Sequence, residues 1–299
     1  MKKILVIMPT YNGEKYLTEQ LESIWHQQGV DVTVLVRDDG SQDGTQALLE
    51  QYQREGKLTW YTGAHLHVEK GVFDLMKRAQ AYDVDYISFA DQDDVWDADK
   101  LLVATQFLDT VQDDTPALYY CGQRLVDGEL NPIAAHSLND RRTLTTRFVL
   151  SDFAGCTGVF NKALLREVVS FEPDYMLMHD TWVLKVCLCL GGKMFVDPKP
   201  HMDYRQHGGN TVGLGRSLPA YMKQVDQYLN VYHVEKQIRE LVRGYGDRMV
   251  PKYRRLAKMI CEYRENPAYK KKLLDRRVVD FHAKGLNLTY WLKVQLNRL

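Results

Sequence analysis

YISFADQDDVW, residues 86–96, sets a short apolar run against three carboxylates, with Asp91, Asp93 and Asp94 falling within four positions. The run from Tyr86 to Ala90 is short, apolar but for Ser88, and followed by polar residues, so it reads as a strand buried on both faces. Carboxylates crowded just past such a strand repel, and each raises the pKa of the next. A divalent cation relieves that repulsion. Hard carboxylate oxygens suit Mg2+ or Mn2+, which also grip phosphate. Helix capping is the plainer account of Asp94 or Asp97, but it leaves Asp91 and Asp93 unexplained.

Toward the N-terminus the same alternation repeats. Residues 3–8, 32–36 and 58–61 read as strands; residues 14–28, 43–53 and 72–81 have helical spacing, with Asn12 a cap for the first of them. Residues 97–110 are again helical. This βαβαβαβα order predicts an α/β fold with a Rossmann-like, mostly parallel sheet covered on both faces. Functional residues in such sheets gather at the carboxyl ends of strands. Here three of the apolar runs end in a polar cluster: Pro9-Thr10-Tyr11-Asn12-Gly13, Asp38-Asp39-Gly40-Ser41 and Asp91-Gln92-Asp93-Asp94.

Asp38-Asp39-Gly40-Ser41 is either a tight turn leading to a helix cap or a carboxylate aimed at a base N–H or ribose hydroxyl. Beside the aspartate cluster the nucleotide reading prevails. Pro9 to Gly13 supplies backbone donors and, in Tyr11, an aromatic face for a base. Neither a P-loop nor G-x-G-x-x-G follows the first strand, which weighs against kinases and dinucleotide dehydrogenases.

Toward the C-terminus, residues 117–126, 152–160, 193–196 and 202–205 read as strands. Residues 178–190 form an apolar helix ending at Gly191-Gly192. Asp180 opens that helix, where the positive dipole end favours a carboxylate: a general base, or a plain N-cap. His207 is either a further metal ligand or a structural histidine, and Arg205 is placed to neutralise phosphate. Lys70, before Gly71 and a helix, is placed to reach a diphosphate. Trp96 and Trp182 either stack on sugar faces or pack in the core.

The chain of 299 residues is 45% hydrophobic and 26% charged, enough for a sizeable core. Its net charge of zero hides a split. Residues 1–215 hold 20 Lys+Arg against 31 Asp+Glu, a net of −11; residues 216–299 hold 19 against 8, a net of +11. The tail, residues 218–299, reads as helical with breaks at Gly244, Gly246, Pro251 and Pro267. Tyr221, Leu229, Tyr232, Tyr263, Tyr290, Trp291 and Leu292 interleave there with Lys and Arg. Such helices rest on an anionic membrane surface, join copies into a homo-oligomer, or pack on the acidic part. No nucleic-acid module is recognisable, so nucleic acid is not expected as a partner. The five cysteines have no zinc or disulfide spacing and are expected reduced and mostly buried. No run approaches the roughly 18–20 apolar residues of a membrane span. A cytoplasmic location, free or on the cytoplasmic face of the membrane, is therefore expected.

PTYNG, DDGS and ADQDDVW, in this order, resemble the signatures of family 2 glycosyltransferases of the GT-A fold. ADQDDVW is similar to the bacterial rhamnosyltransferase-like branch, as are GCTGVFNK (155–162), MHDTW (178–182) and YRQHGGNTVG (204–213). The resemblance covers about residues 1–215. It implies a GT-A domain over 1–216 and a basic helical region over 217–299. It places Pro9, Thr10, Tyr11, Asp38, Asp39, Lys70, Asp91, Gln92 and Arg205 around the nucleotide, with Asp39 accepting from N3–H of uracil or thymine. Asp91 and Asp93 match the D-x-D motif, with Asp93 on the metal, Asp91 on ribose or the metal shell, and His207 a further ligand. Asp180 matches the general base; His179 precedes it where many members carry Glu, a departure the branch shares. Trp96, Gly155, Cys156, His179 and Trp182 fall on the sugar and acceptor side. The implied reaction is an inverting, metal-dependent transfer from dTDP-L-rhamnose, or from UDP-glucose, UDP-galactose or a UDP-N-acetylhexosamine. The acceptor is a glycan, glycolipid or glycoprotein of the bacterial surface. A nucleotidyltransferase and a non-catalytic sugar-binding protein are the rival classes. The first lacks its glycine-rich basic loop here, and the second would not need every acid.

Overall fold

A computed structural model describes residues 1–64, 67–136, 138, 141–207 and 232–299. Strand β1 (Lys2–Thr10) carries five consecutive fully buried apolar residues, Ile4 to Met8, because helices cover both faces of the sheet. Helix α1 (Leu17–Trp25) leads to β2 (Val30–Asp38), and α2 (Thr45–Arg54) to β3 (Thr59–Thr62). Helix α3 (Val68–Ala79) then returns to β4 (Tyr86–Phe89), on the other flank of β1. This reversal creates a crevice beside β1, where open α/β sheets bind ligands.

A two-residue β5 (Val95–Trp96) and α4 (Lys100–Leu108) follow, then β6 (Ala117–Val126), β7 (Pro132–His136), α5 (Leu144–Val149), β8 (Gly158–Asn161), α6 (Lys162–Val169), α7 (His179–Cys189) and β9 (Lys193–Arg205). The sheet runs β3-β2-β1-β4-β8-β6-β9-β5, with β7 paired to β6. Strands β1 to β4 are mutually parallel; β8 is antiparallel to both β4 and β6, and β9 is parallel to β6. Two reversals restore the direction, so β1, β2, β4, β6 and β9 all end at one edge. The turn that precedes β8 opens onto that same edge.

Several expected boundaries differ. Helix α1 begins at Leu17, and Asn12 does not cap it: Asn12 sits at φ 49 and its side chain accepts from the Gln42 N–H at 2.8 Å. Neither Asp94 nor Asp97 caps α4; Asp97 forms a two-pronged pair with Arg124. The strand expected over 152–160 is mostly a bend and a 3-10 turn (Gly155–Thr157), with pairing only from Gly158. The two short strands expected after α7 are one long β9, whose register against β6 slips near Cys121 and Gly122.

Helices α8 (Val234–Tyr245), α9 (Pro251–Glu262), α10 (Pro267–Leu273) and α11 (Lys284–Gln295) complete the described chain. Pro251 and Pro267 open helices, where a missing N–H costs nothing. Apolar residues of these helices, among them Ile238, Leu241, Leu256 and Ile260, share one core with α3, α6 and α7. The expected boundary at 216/217, with Tyr221 and Leu229, lies outside the described residues. Among the described residues, no helix is long and apolar enough to cross a membrane. All five cysteines are free, and Cys121, Cys156, Cys187 and Cys189 are buried.

Candidate active site

At the end of β2, Asp38 is fully buried and organises the turn. It accepts from the Gly40 and Ser41 N–H groups at 3.0 Å each, from Gln46 Nε2 at 2.8 Å and from the Thr10 hydroxyl at 3.2 Å. Gly40 adopts φ +85, which a side-chain-bearing residue resists. Asp38 therefore supports the loop, leaving Asp39 as the carboxylate at its tip.

Asp39 is ion-paired to Arg37, which is 1% exposed and directly follows the buried apolar run Val34 to Val36. Arg37 also donates to the Ala64 carbonyl at 2.7 Å and approaches Asp74 at 3.4 Å. Gly71 is required beside it, since a Cβ there would lie 2.7 Å from Arg37 Nη1. Lys70 is exposed and lines a cleft of about 750 Å3 together with Arg37, Tyr61, Asp74 and Tyr175.

Gln92 ties the first loop to the third. Its Oε1 accepts from the Tyr11 N–H at 2.9 Å and its Nε2 donates to the Tyr11 carbonyl at 3.1 Å. Tyr11 remains 45% exposed. Gln92 thus positions the loop rather than reaching outward.

The three aspartates take different environments. Asp93 Oδ2 lies 2.7 Å from His207 Nε2, joining two expected ligands from the ends of β4 and β9. The His207 ring rests on Tyr16 with centroids 5.0 Å apart. Burial, then the Asp93 charge and finally that of Asp180, push the Asp91 carboxyl up to about 7. Asp94 is fully buried, accepts from the Arg205 N–H at 3.1 Å and leaves Oδ2 without a hydrogen bond; burial, then Asp91 and Asp93, raise it well above its ordinary value. Ligand atoms of Asp91, Asp94 and Cys156 lie within 4.8 Å of one another. Carboxylates and one imidazole with an orphaned buried oxygen make a donor set that fits Mn2+ or Mg2+. The Cys156 thiol, raised by burial, stays protonated and hydrogen-bonds to these carboxylates.

Asp180 lies in the first turn of α7 and is 9% exposed. Burial pushes its carboxyl up to about 6, against the N–H groups of Thr181 and Gly155 and the charge of buried Lys185. The 3-10 turn before β8 therefore staples three carboxylates at once: Gly155 through its N–H to Asp180, and Cys156 through its thiol to Asp91 and Asp94. His179 is buried, edge-on to Phe89 at 4.9 Å, and burial lowers it to about 4, so it is neutral at pH 7.

Five expected roles change. Gly155 and Cys156 support the acids from below instead of lining a sugar; Cys156 is 1% exposed. Trp182 is fully buried against Phe171 and Tyr245, and Trp96 is 4% exposed with Lys100 Nζ 3.4 Å from its ring centre, so both pack in the core. Arg205 is 2% exposed and does not face outward: it donates to the Asp93 carbonyl at 2.7 Å and the Gly128 carbonyl at 2.6 Å, and pairs with Glu19 at 2.5 Å. It braces the aspartate loop. The glycine-rich stretch after His207 lies outside the described residues.

Gly155→Ala tests the staple. A Cβ there would lie 2.6 Å from His179 Nε2, so either the turn or the buried His179 ring must shift, and both adjoin Asp180. Turnover is expected to fall about 10–100-fold, the scale of a displacement near 1 Å, with nucleotide affinity unchanged. Steady-state kinetics beside calorimetric binding of nucleoside diphosphate separates the two.

A family model described as glycosyl transferase family 2 matches residues 5–169. The dTDP-rhamnosyl transferase RfbG of Shigella flexneri is 29% identical over 260 residues, 80% of this chain and 85% of that protein. Among solved structures, S. aureus TarS 1–349 in complex with UDP-GlcNAc aligns with a TM-score of 0.60 at 19% identity, over 98% of this chain and 79% of that one. The mannosyltransferase PcManGT of Pyrobaculum calidifontis, in complex with GDP-Man and Mn2+, aligns at 0.59 and 15% identity, over 99% and 87%. These likenesses establish the GT-A fold that the motif resemblance implies.

Proposed function

We propose that this chain, which belongs to glycosyl transferase family 2 and is a glycosyltransferase, moves L-rhamnose from dTDP-L-rhamnose to a hydroxyl of a bacterial surface glycan with inversion at the anomeric carbon. The observation that carries the chemistry is the meeting of Asp91, Asp93, His207 and Asp180 at one sheet edge, beside the Asp39 loop. The likeness to a dTDP-rhamnosyl transferase over most of both chains supports the sugar.

Asp39 accepts from the base N3–H, held in place by Arg37, while Tyr11 offers its ring to the base. Asp93, Asp91 and His207 would hold a divalent cation, and its positive charge would stabilise the charge that grows on the departing diphosphate. Asp180 accepts the proton of the acceptor hydroxyl as that oxygen bonds to the anomeric carbon on the face opposite the diphosphate. The C–O bond to phosphate breaks in the same step, so no covalent sugar–enzyme intermediate is required. Hexose donors carried on UDP are the nearest alternatives.

A donor screen tests the reading. The protein is incubated with dTDP-rhamnose and the common UDP-sugars, with Mn2+ or Mg2+, and slow hydrolysis is followed. Preferential release of dTDP from dTDP-rhamnose is expected. Preference for a UDP-sugar overturns the sugar, and pyrophosphate release overturns the transferase mechanism.

Lys185 has a place in this reading as a positioning residue. It is 1% exposed, lies on the same helix as Asp180, and its charge favours the ionised carboxylate. Lys185→Met removes that support, so the Asp180 pKa rises above about 6. The acid limb of kcat should move to higher pH while nucleotide affinity holds. An unmoved limb removes Lys185 from the role.

A further inference from the structure

Helix α11 is apolar on two sides. Tyr290 and Val294 face the core at 3% and 0% exposure. Leu288, Trp291, Leu292 and Leu296 stand open at 59%, 46%, 37% and 58%. Positions 288, 291, 292 and 296 repeat at helical spacing, so these side chains form one stripe. Isolated exposed apolar residues need no explanation, but four adjoining ones on a single face do.

The surroundings of the stripe are strongly basic. Residues 266–299 hold eight Lys+Arg and two Asp, a net of +6. Lys284 shares the stripe's face by spacing and is exposed at its start, and Arg298 is exposed just past its end. Helix α10 lies alongside. Lys270 Nζ reaches the Gln295 carbonyl and Asn297 Oδ1 at 3.0 Å each, and the Tyr290 hydroxyl bonds to the Leu273 carbonyl at 3.2 Å. That anchoring sets exposed Lys271 and Lys272 near the far end of the stripe.

We infer that the open face of α11 docks on an anionic lipid bilayer, with Leu288, Trp291, Leu292 and Leu296 in the headgroup–acyl boundary and the surrounding Lys and Arg against acidic headgroups. A second copy of the chain would bring the same +6 region against itself, which disfavours self-association through this face. A neutral bilayer would leave the charge unused. An interfacial helix needs an apolar stripe, an aromatic at the boundary and cations beside it, and all three are present. The inference does not depend on which sugar is transferred.

Sedimentation of the full chain with large vesicles at low salt tests it. Vesicles of 30% phosphatidylglycerol in phosphatidylcholine should carry the protein down, and pure phosphatidylcholine should not. Leu288→Gln, Trp291→Gln and Leu292→Gln combined should lower the vesicle-bound fraction by about tenfold or more. Lys271→Glu with Lys272→Glu should lower it about tenfold, and added salt should lower it for the wild type. Thermal melting and nucleoside-diphosphate binding equal to wild type confirm that the variants fold. Three results would overturn the proposal: a wild type that ignores anionic vesicles, a triple variant that binds them as before, or a concentration-dependent dimer, lost in the triple variant, with no vesicle binding.

Discussion

Asp180→Asn should leave a folded protein that binds nucleoside diphosphate normally and turns over about 10²–10⁴ times more slowly, the usual scale of general-base catalysis. The substitution is nearly isosteric. An amide oxygen still accepts from the Thr181 and Gly155 N–H groups, so the 3-10 turn and the first turn of α7 keep their contacts. What disappears is proton affinity at the atom facing the acceptor. The pH dependence follows from the same carboxyl. Burial holds it at about 6, above its ordinary value, and only the ionised form works as a base. Activity therefore falls as pH drops through about 6 and is steady above it, until other groups intervene. Lys185, itself lowered by burial to about 8, is still charged across that limb. Near-normal turnover in Asp180→Asn would remove this residue as the base.

Asp93→Ala should abolish the dependence of donor binding on the cation. Its Oδ2 lies 2.7 Å from His207 Nε2 and its charge adds to that of Asp91. Losing an outer partner of a metal site costs roughly 10–100-fold in affinity, and losing a ligand should cost at least that. Structure should survive, because Arg205 grips the Asp93 carbonyl, which alanine retains. Asp91, freed of a like charge, should titrate lower than in the wild type. Calorimetry of nucleoside diphosphate with and without Mn2+ reads the result. Equal affinity in both conditions for the wild type, or a cation effect preserved in the variant, would end the metal assignment.

The parallel half of the sheet was legible because its strands are buried on both faces and read as continuous apolar runs ending in polar clusters. Ile4 to Met8 and Tyr86 to Ala90 need no tertiary information to be recognised. The second half was less so. Residues 152–160 scatter Asp152, Thr157 and two glycines among five apolar residues, and the turn there meets Asp180, Asp91 and Asp94, contacts that no local pattern encodes. Asp39, Asp91, Asp93, Asp180 and His207 were singled out by residue type and position. Their supports were not. Arg37 left one signal, a single cation directly after an apolar run. Tyr16, Glu19 and Lys185 left none, since each acquires meaning only through residues distant in sequence or a helical turn away. Arg205 was misjudged because an arginine near a phosphate site looks like a ligand until its donors are seen to be taken by backbone carbonyls and Glu19.

Gln92 and Tyr11 exchange two bonds, donor for acceptor and acceptor for donor, as opposed residues of neighbouring strands do. A side chain thus adds one more rung beyond the last backbone pairing of β1 with β4. The mechanical result is that the loop proposed to meet the heterocycle and the loop proposed to meet the pyrophosphate belong to a single stiff body. A donor with the wrong base would tilt both together, so an error made at one end of the molecule is felt some distance away, where the bond is to be cut.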